Sequence, residues 1–415
     1  MSDADVIVVG AGLAGLTAAT ELHRSGRQVL VLERSDGVGG RARTDEVDGF
    51  LLDRGFQVLL TAYPTVGEVL DLGALDLQAF DPGVLVRTGS GFEAIGDPLR
   101  RPSQLPATLM SRLGTIGDQL RLLWLRGRVR RGAVDDIFDG LDETAAYRLN
   151  RLGFSSRFRQ SFWAPLLAGI TFEPEMVTSA HVVEFAMRML GEGDTAVPAC
   201  GMGAVAAQLA GRLPAGAVRL GAAVDRVTGS EVSVDGQSLR AARVVVATDV
   251  TTAAELVDGV EDPGWAGVTT AWFSAERPPT TARTVVLNGT GGGLVNNVAV
   301  LSNVAPTYAP VGHSLVAVSF PGTGAVDVER RLRHDLAGWW PGEDGTTTPV
   351  PDWDLLRVDE IAQARPCQLP GFDPRAPVQV GEVVVAGDHR RTASTEGAVR
   401  AGLDAAAAVL ADHEP

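Results

Sequence analysis

Val6-Ile7-Val8-Val9-Gly10-Ala11-Gly12-Leu13-Ala14-Gly15 is the stretch that decides the fold of this chain. Four consecutive apolar residues suit a parallel strand buried on both faces. The glycines that follow have the spacing G-x-G-x-x-G, and each has its own task. Gly10 permits a tight turn, Gly12 lets the backbone approach a pyrophosphate, and Gly15 lets a helix pack closely on the strand. A helical pattern then runs to Ser25, with Gly26 where a C-terminal cap is expected. The start of that helix, at Leu13 and Ala14, aims free N–H groups and a positive dipole end at the phosphates. A second apolar run, Val29 to Leu32, ends in Glu33, close to the spacing at which a carboxylate takes the ribose hydroxyls of an adenine dinucleotide; Arg34 follows it at the same site. Strand, glycines, helix, strand and acid arrive in order, which predicts a dinucleotide-binding unit.

The next stretch separates the candidate dinucleotides. Gly39-Gly40-Arg41-Ala42-Arg43-Thr44 again lets backbone pass close to a pyrophosphate, and an arginine there can neutralise it. This G-G-R-x-x-T resembles the second signature of the flavin amine oxidase superfamily, which includes monoamine oxidases, protoporphyrinogen oxidases and carotene desaturases. The resemblance implies FAD, permanently held. Leu51 to Pro64 resembles the segment of plant- and cyanobacterial-type phytoene desaturases that follows the nucleotide site, with Gln57 standing where those have His. By that resemblance Arg54, Gly55, Phe56 and Gln57 run beside the isoalloxazine ring. Val197 to Gly203 resembles the turn by which the superfamily returns to its FAD domain, and Val224 would touch adenine through its backbone. Val383-Val384-Val385-Ala386-Gly387-Asp388 and Ser394-Thr395-Glu396-Gly397-Ala398-Val399 resemble the carotene desaturase ending. There Gly387 and Asp388 would meet the ribityl chain or a phosphate. The backbone of Thr395, Glu396 and Ala398 would face the flavin C2 carbonyl, where a helix N-terminus favours the negative charge of reduced flavin.

The chain has 415 residues, 45% of them hydrophobic, with 49 glycines and no lysine, every basic residue apart from histidine being arginine. That is ample for two or three domains. A net charge of −15 argues against nucleic acid as a partner. Two cysteines, Cys200 and Cys367, make neither a disulfide framework nor a zinc pattern. The first strand begins almost at the N-terminus, leaving no room for a signal peptide, and no run of about twenty apolar residues is present to span a membrane. The expected location is cytoplasmic, with one link to the inner membrane surface. Residues 98–131 carry eight arginines against the single acid Asp118, interleaved with Leu105, Leu109, Met110, Leu113, Ile116, Leu120, Leu122, Leu123, Trp124 and Leu125. That pattern suits an interfacial helix, or a surface helix packed on the protein.

The expected fold is α/β: a two-segment Rossmann-like FAD-binding domain with a parallel sheet and helices (1–75 and 196–250), completed by a C-terminal segment (356–415). A mixed α+β substrate domain takes 76–195, with a helical insertion, and 251–355. For chemistry, the resemblance favours dehydrogenation of a lipophilic isoprenoid or carotenoid-like substrate by hydride transfer to flavin N5, with quinone or oxygen as reoxidant. An amine oxidase, a protoporphyrinogen-type oxidase and a non-catalytic flavin protein are the alternatives. Against amines stand the missing lysine and the Ser394-Thr395 pair where many members carry an aromatic. No catalytic acid or base stands out. Gln57 and His181 are the candidates, a lone His in an apolar run being more often a core residue.

Overall fold

The computed structural model describes residues 3–97, 100, 101, 108, 111–340 and 350–411. Seven strands bear on the site: β1 (Ala4–Val9), β2 (Val29–Leu32), β3 (Gln237–Val246), β4 (Trp265–Ala275), β5 (Ser314–Pro321), β6 (Asp354–Pro366) and β7 (Val383–Val385). The helices that matter are α1 (Leu13–Arg24), α2 (Pro64–Val69), α3 (Ile116–Val129), α4 (Ala164–Thr171), α5 (Ala180–Glu192) and α6 (Thr395–Ala411).

The opening stretch folds as its pattern requires. β1 pairs in parallel with β2 on one side and β3 on the other, so that Val8 lies beside both Val31 and Val245. Val218–Arg219 extends the sheet beyond β2, and β7 pairs with β3. Both faces are covered, which is why the apolar runs are continuous and not alternating. Val6 and Val8 point into one core with Leu16 and Leu22 of α1 and Val399 and Val409 of α6. Ile7 and Val9 point into another with Val244, Val246 and Val250. α6 lies against α1 at backbone distance: a Cβ on Gly402 would overlap the carbonyl oxygen of Ala14. The first and last helices of the described chain are therefore one packing unit.

The second sheet has seven strands in the order β6-β4-β5-Asn297–Val300-Val286–Asn288-Gly83–Thr88-Gly91–Gly96. It is antiparallel except where Val286–Asn288 meets Gly83–Thr88. α3, α4 and α5 form a helical region beside it, with a π-helical turn, Arg159–Trp163, leading into α4. β6 continues to Pro366 and pairs with β4 from Trp265 to Ser274. Trp339 and Trp340 are core, Trp340 stacking on Phe92. Among the described residues no helix is long and apolar enough to cross a membrane.

The arginine-rich stretch divides. Leu105, Leu109 and Met110 lie outside the described residues. Leu113, Leu122 and Leu125 are buried, whereas Ile116, Leu120 and Trp124 are exposed.

Candidate active site

The glycine loop and the G-G-R segment are laid on one another. Gly39 N donates to Ala11 O at 2.8 Å, Gly12 and Gly39 are bridge partners, and a Cβ on Gly40 would lie 3.4 Å from the Gly12 Cα. Gly10 adopts φ +102°, and a Cβ there would lie 2.7 Å from the Ala247 carbonyl oxygen. A Cβ on Gly15 would fall inside the Gly10 carbonyl. Gly12 is the exception: a Cβ there meets nothing within 4 Å. Gly12 is also the N-cap of α1, with no side chain capping the helix and no acid in its first turn. Open space thus lies against uncapped N–H groups and a positive dipole end, which is an anion cradle.

Glu33 borders that cradle at the end of β2. It is buried, and its carboxylate accepts from Ala11 N at 2.7 Å, Ser35 N at 2.9 Å and Ser35 Oγ at 2.7 Å. Ala222 N donates to Glu33 O and Gly221 N to Ser35 O, which leads Val224, at the start of Val224–Val227, past the same strand end. Arg34 turns to the other side, 3.4 Å from Asp249, which caps the helix Val250–Leu256.

The two ends of the chain meet at Arg41. Its guanidinium grips Asp388 through two bonds of 2.6 and 2.9 Å across 347 residues, donates to Ala364 O at 3.0 Å and lies over the Trp265 ring. Burial alone would raise the Asp388 pKa, but the charge and hydrogen bonds of Arg41 hold it below the ordinary carboxylate value. Arg41, expected at the pyrophosphate, is thus also paired with Asp388. Burial pushes the adjacent His389 down to about 4, so it is neutral near pH 7.

Arg54, Gly55, Phe56 and Gln57 form the next wall. Arg54 faces Asp45 at 3.3 Å, sharing it with Arg357, which also pairs with Asp359 at 2.8 Å. Gly55 has φ +78°, and a Cβ there would press on Ile361 at 2.9 Å. Phe56 N donates to Thr270 Oγ1 at 3.3 Å. The two catalytic candidates, Gln57 and His181, stand in different surroundings. Gln57 Nε2 donates to the carbonyls of Arg41 and Arg54, both at 2.9 Å, so it ties the two loops together. His181, on α5, is buried with its ring edge-on to Phe138 and Nδ1 3.7 Å from Asp142. It is not among the residues lining the pocket described below.

At the C-terminal end, Gly387 and Asp388 follow β7 and α6 starts at Thr395. Gly397 N donates to Ser394 Oγ, and Ala398 N to Ser394 O. The Glu396 side chain turns away from this helix start and caps α2, accepting from Thr65 N and Val66 N at 3.0 Å each. Nothing in the local sequence marks that bond, since its partners are 331 residues away. Its loss is measurable: Glu396→Ala is expected to cost about 2–4 kcal/mol in denaturant unfolding, two buried amides losing a charged acceptor.

A small pocket of about 10 Å³ lies between Phe56 and the substrate domain, lined by Ala168 and Gly169 of α4, Phe172, Val268 of β4, and Ser319 and Phe320 of β5, with Asn297 and Pro321. At its base Thr270 Oγ1 and Ser319 Oγ share a buried 2.9 Å hydrogen bond.

The profile of the flavin-containing amine oxidoreductases matches residues 13–410, nearly the whole chain. The chain belongs to that family. Its cofactor is accordingly FAD and its class that of an oxidoreductase. Similar curated proteins include a putative flavin-containing monoamine oxidase of Mycobacterium tuberculosis, 59% identical over 51 residues (12% of this chain, 11% of that protein). A phytoene dehydrogenase of Streptomyces griseus is 44% identical over 92 residues, 21% of this chain and 18% of its own length. The aligned stretches thus span only a small part of these relatives. Among solved structures, a putative protoporphyrinogen oxidase of Exiguobacterium superposes with a TM-score of 0.74 at 15% identity over 99% of both chains. Putrescine oxidase with putrescine bound gives 0.70 at 19% identity, covering 98% of this chain and 99% of that one. At such identities the likeness is one of fold.

The residues present fit the flavin dinucleotide of this family: the open space at Gly12, the uncapped start of α1 and the carboxylate of Glu33 adjoin one another. The fit makes a sharp expectation for Gly12→Val. Its backbone is extended and its side chain would enter empty space, so the fold survives. The purified variant should be folded by circular dichroism yet colourless; a fully yellow variant would refute the cradle.

Proposed function

We propose that this oxidoreductase dehydrogenates a lipophilic, isoprenoid- or carotenoid-like substrate, with quinone or oxygen as the final electron acceptor. The observation that carries this reading is the lining of the small pocket beside Phe56, which is mostly apolar and contains no ionisable side chain. Bound FAD supplies the two-electron acceptor for a hydride from a substrate C–H. The cofactor-holding roles fall to Gly10, Gly12, Gly15, Gly39 and Gly40 at the pyrophosphate and Glu33 at the ribose. Arg41 would neutralise the pyrophosphate, Asp388 would take the ribityl chain or a phosphate, and Gly55 to Gln57 with Thr395 to Ala398 would stand at the ring.

The protein's part is to orient and exclude. Phe56, Phe172, Val268 and Phe320 offer flat and branched apolar contacts to a hydrocarbon and keep water from the reacting carbon. Asn297 and Ser319 supply the polar contacts at the same pocket and would fix the register of the chain against the flavin. The lining residues provide no base for an amine substrate. Phytoene dehydrogenase and protoporphyrinogen oxidase among the relatives support the choice; putrescine oxidase among them is the reason to test amines beside lipids.

The test is anaerobic. FAD-loaded protein is mixed with polyene precursors in detergent micelles and, separately, with putrescine and benzylamine, and flavin absorbance is followed. Bleaching by a polyene precursor and not by amines is expected. Bleaching by amines alone would overturn the proposal, and bleaching by neither would favour a non-catalytic flavin protein.

A further inference from the structure

α3 has two apolar faces. Its inner face, with Leu122, Leu125 and Val129, is buried in the core that also holds Phe158, Trp163 and Val183. Its outer face carries Ile116, Leu120 and Trp124, which are 68%, 56% and 53% exposed. Residues four apart form one line along a helix, so these three make a continuous ridge. Most other exposed large hydrophobics, such as Val311, Val326 and Leu220, stand apart from one another in the chain.

Arginines predominate around the ridge, although Arg130 pairs with Glu192 at 3.8 Å. Helical spacing puts Arg121 and Arg128 along one flank and Arg130 along the other, with Arg112 and Arg131 just beyond the two ends. The only acid of the helix, Asp118, is buried, and its carboxylate is taken by Thr115 and Ser155. Among the described residues Arg112, Arg121 and Arg131 form no ion pair, while Arg128 pairs with Glu184 at 3.1 Å and lies 5.8 Å from the centre of the Trp124 ring. This arginine-rich ridge sits on a chain of net charge −15.

We propose that the outer face of α3 docks the protein on an anionic lipid surface. A membrane interface matches each feature: the arginines meet lipid phosphates, Ile116 and Leu120 enter below the headgroups, and the Trp124 indole sits at the boundary. α3 is about 21 Å long and would lie in the plane of the interface. An acidic protein would satisfy the arginines but would leave the aliphatic ridge to find its own apolar partner, whereas a bilayer supplies both layers at once. The inference needs no particular substrate, so it stands or falls separately from the reaction proposed above.

The test is sedimentation of the FAD-loaded full chain with vesicles of phosphatidylcholine alone or with added phosphatidylglycerol. Binding to the anionic vesicles only, weakened by salt, is expected. The double variant Leu120→Glu/Trp124→Glu should bind at least tenfold more weakly while keeping its flavin and thermal midpoint. Arg121→Gln/Arg131→Gln, which leaves the ridge intact, should weaken binding several-fold for anionic vesicles; it also covers the case in which the glutamate variant fails to fold. With brominated lipids, tryptophan fluorescence should be quenched in the parent and much less in Trp124→Phe. Failure to bind anionic vesicles, equal binding to both compositions, or indifference to the ridge and arginine substitutions would overturn the proposal.

Discussion

Gly15→Ala should yield a protein that no longer holds FAD and is less stable than the parent. The added methyl has nowhere to go. It would lie inside the Gly10 carbonyl and 3.2 Å from the Ala247 Cβ. Both Gly10 atoms in the way are backbone, so no rotamer change relieves the overlap. α1 must instead move off the sheet, and the move opens the Gly12–Gly39 contact that forms the cradle. Overpacking of this kind costs about 3 kcal/mol, a fall in thermal midpoint of roughly 3 °C for a chain of this size. Flavin-to-protein absorbance and a melting curve read both effects. The contrast with Gly12→Val is the point: one glycine guards the fold, the other the ligand space. A Gly15→Ala protein that is fully yellow and melts with the parent would show that the helix is not held at this distance.

The second large effect is expected at Asp53. This carboxylate is fully buried at the end of Phe50–Asp53 and accepts from Thr44 Oγ1 at 2.6 Å, Met202 N at 2.9 Å and Tyr308 OH at 3.0 Å. Thr44 closes the G-G-R-x-x-T segment, Met202 starts the return to the FAD domain, and Tyr308 belongs to the substrate domain. Asp53→Ala strands three buried donors and is expected to cost about 3–5 kcal/mol.

The same residue gives a pH signature. Burial outweighs the hydrogen bonds and raises the Asp53 pKa to about 6. A carboxyl whose folded pKa lies above its unfolded one favours the folded state at low pH. Its stabilisation is complete below the unfolded value near 4 and is lost as pH rises through about 6. Two pKa units correspond to about 3 kcal/mol. The stability difference between the parent and Asp53→Asn should therefore shift by about that amount between pH 4 and 6.5, the parent losing ground. A difference that stays flat would show that the carboxylate is ionised throughout.

Much of the cofactor region was legible because its demands are local. A strand buried on both faces must be apolar throughout, a turn under a pyrophosphate must lack a Cβ, and a ribose needs an acid at the strand end. Each of these is a property of one residue and its neighbours, so Val6 to Glu33 could be read directly. Gln57 and His181 show the limit. The Gln57 amide is committed to two carbonyls, and the His181 ring packs edge-on to Phe138 with Nδ1 3.7 Å from Asp142. Arg357 and Asp359, which help tie the loops together, lie in a stretch with no motif.

What the sequence determined by itself is the dinucleotide unit and the family, since strand period, glycine spacing and helix dipole act within a few tens of residues. Tertiary structure alone decided that Arg41 serves Asp388 and that Glu396 caps a helix more than three hundred residues away. It also turned Leu122 and Leu125 of α3 inward while leaving Leu120 and Trp124 outside. The reason is physical: a side chain's partner is set by what the folded chain brings within about 3–4 Å, and sequence distance does not enter that sum.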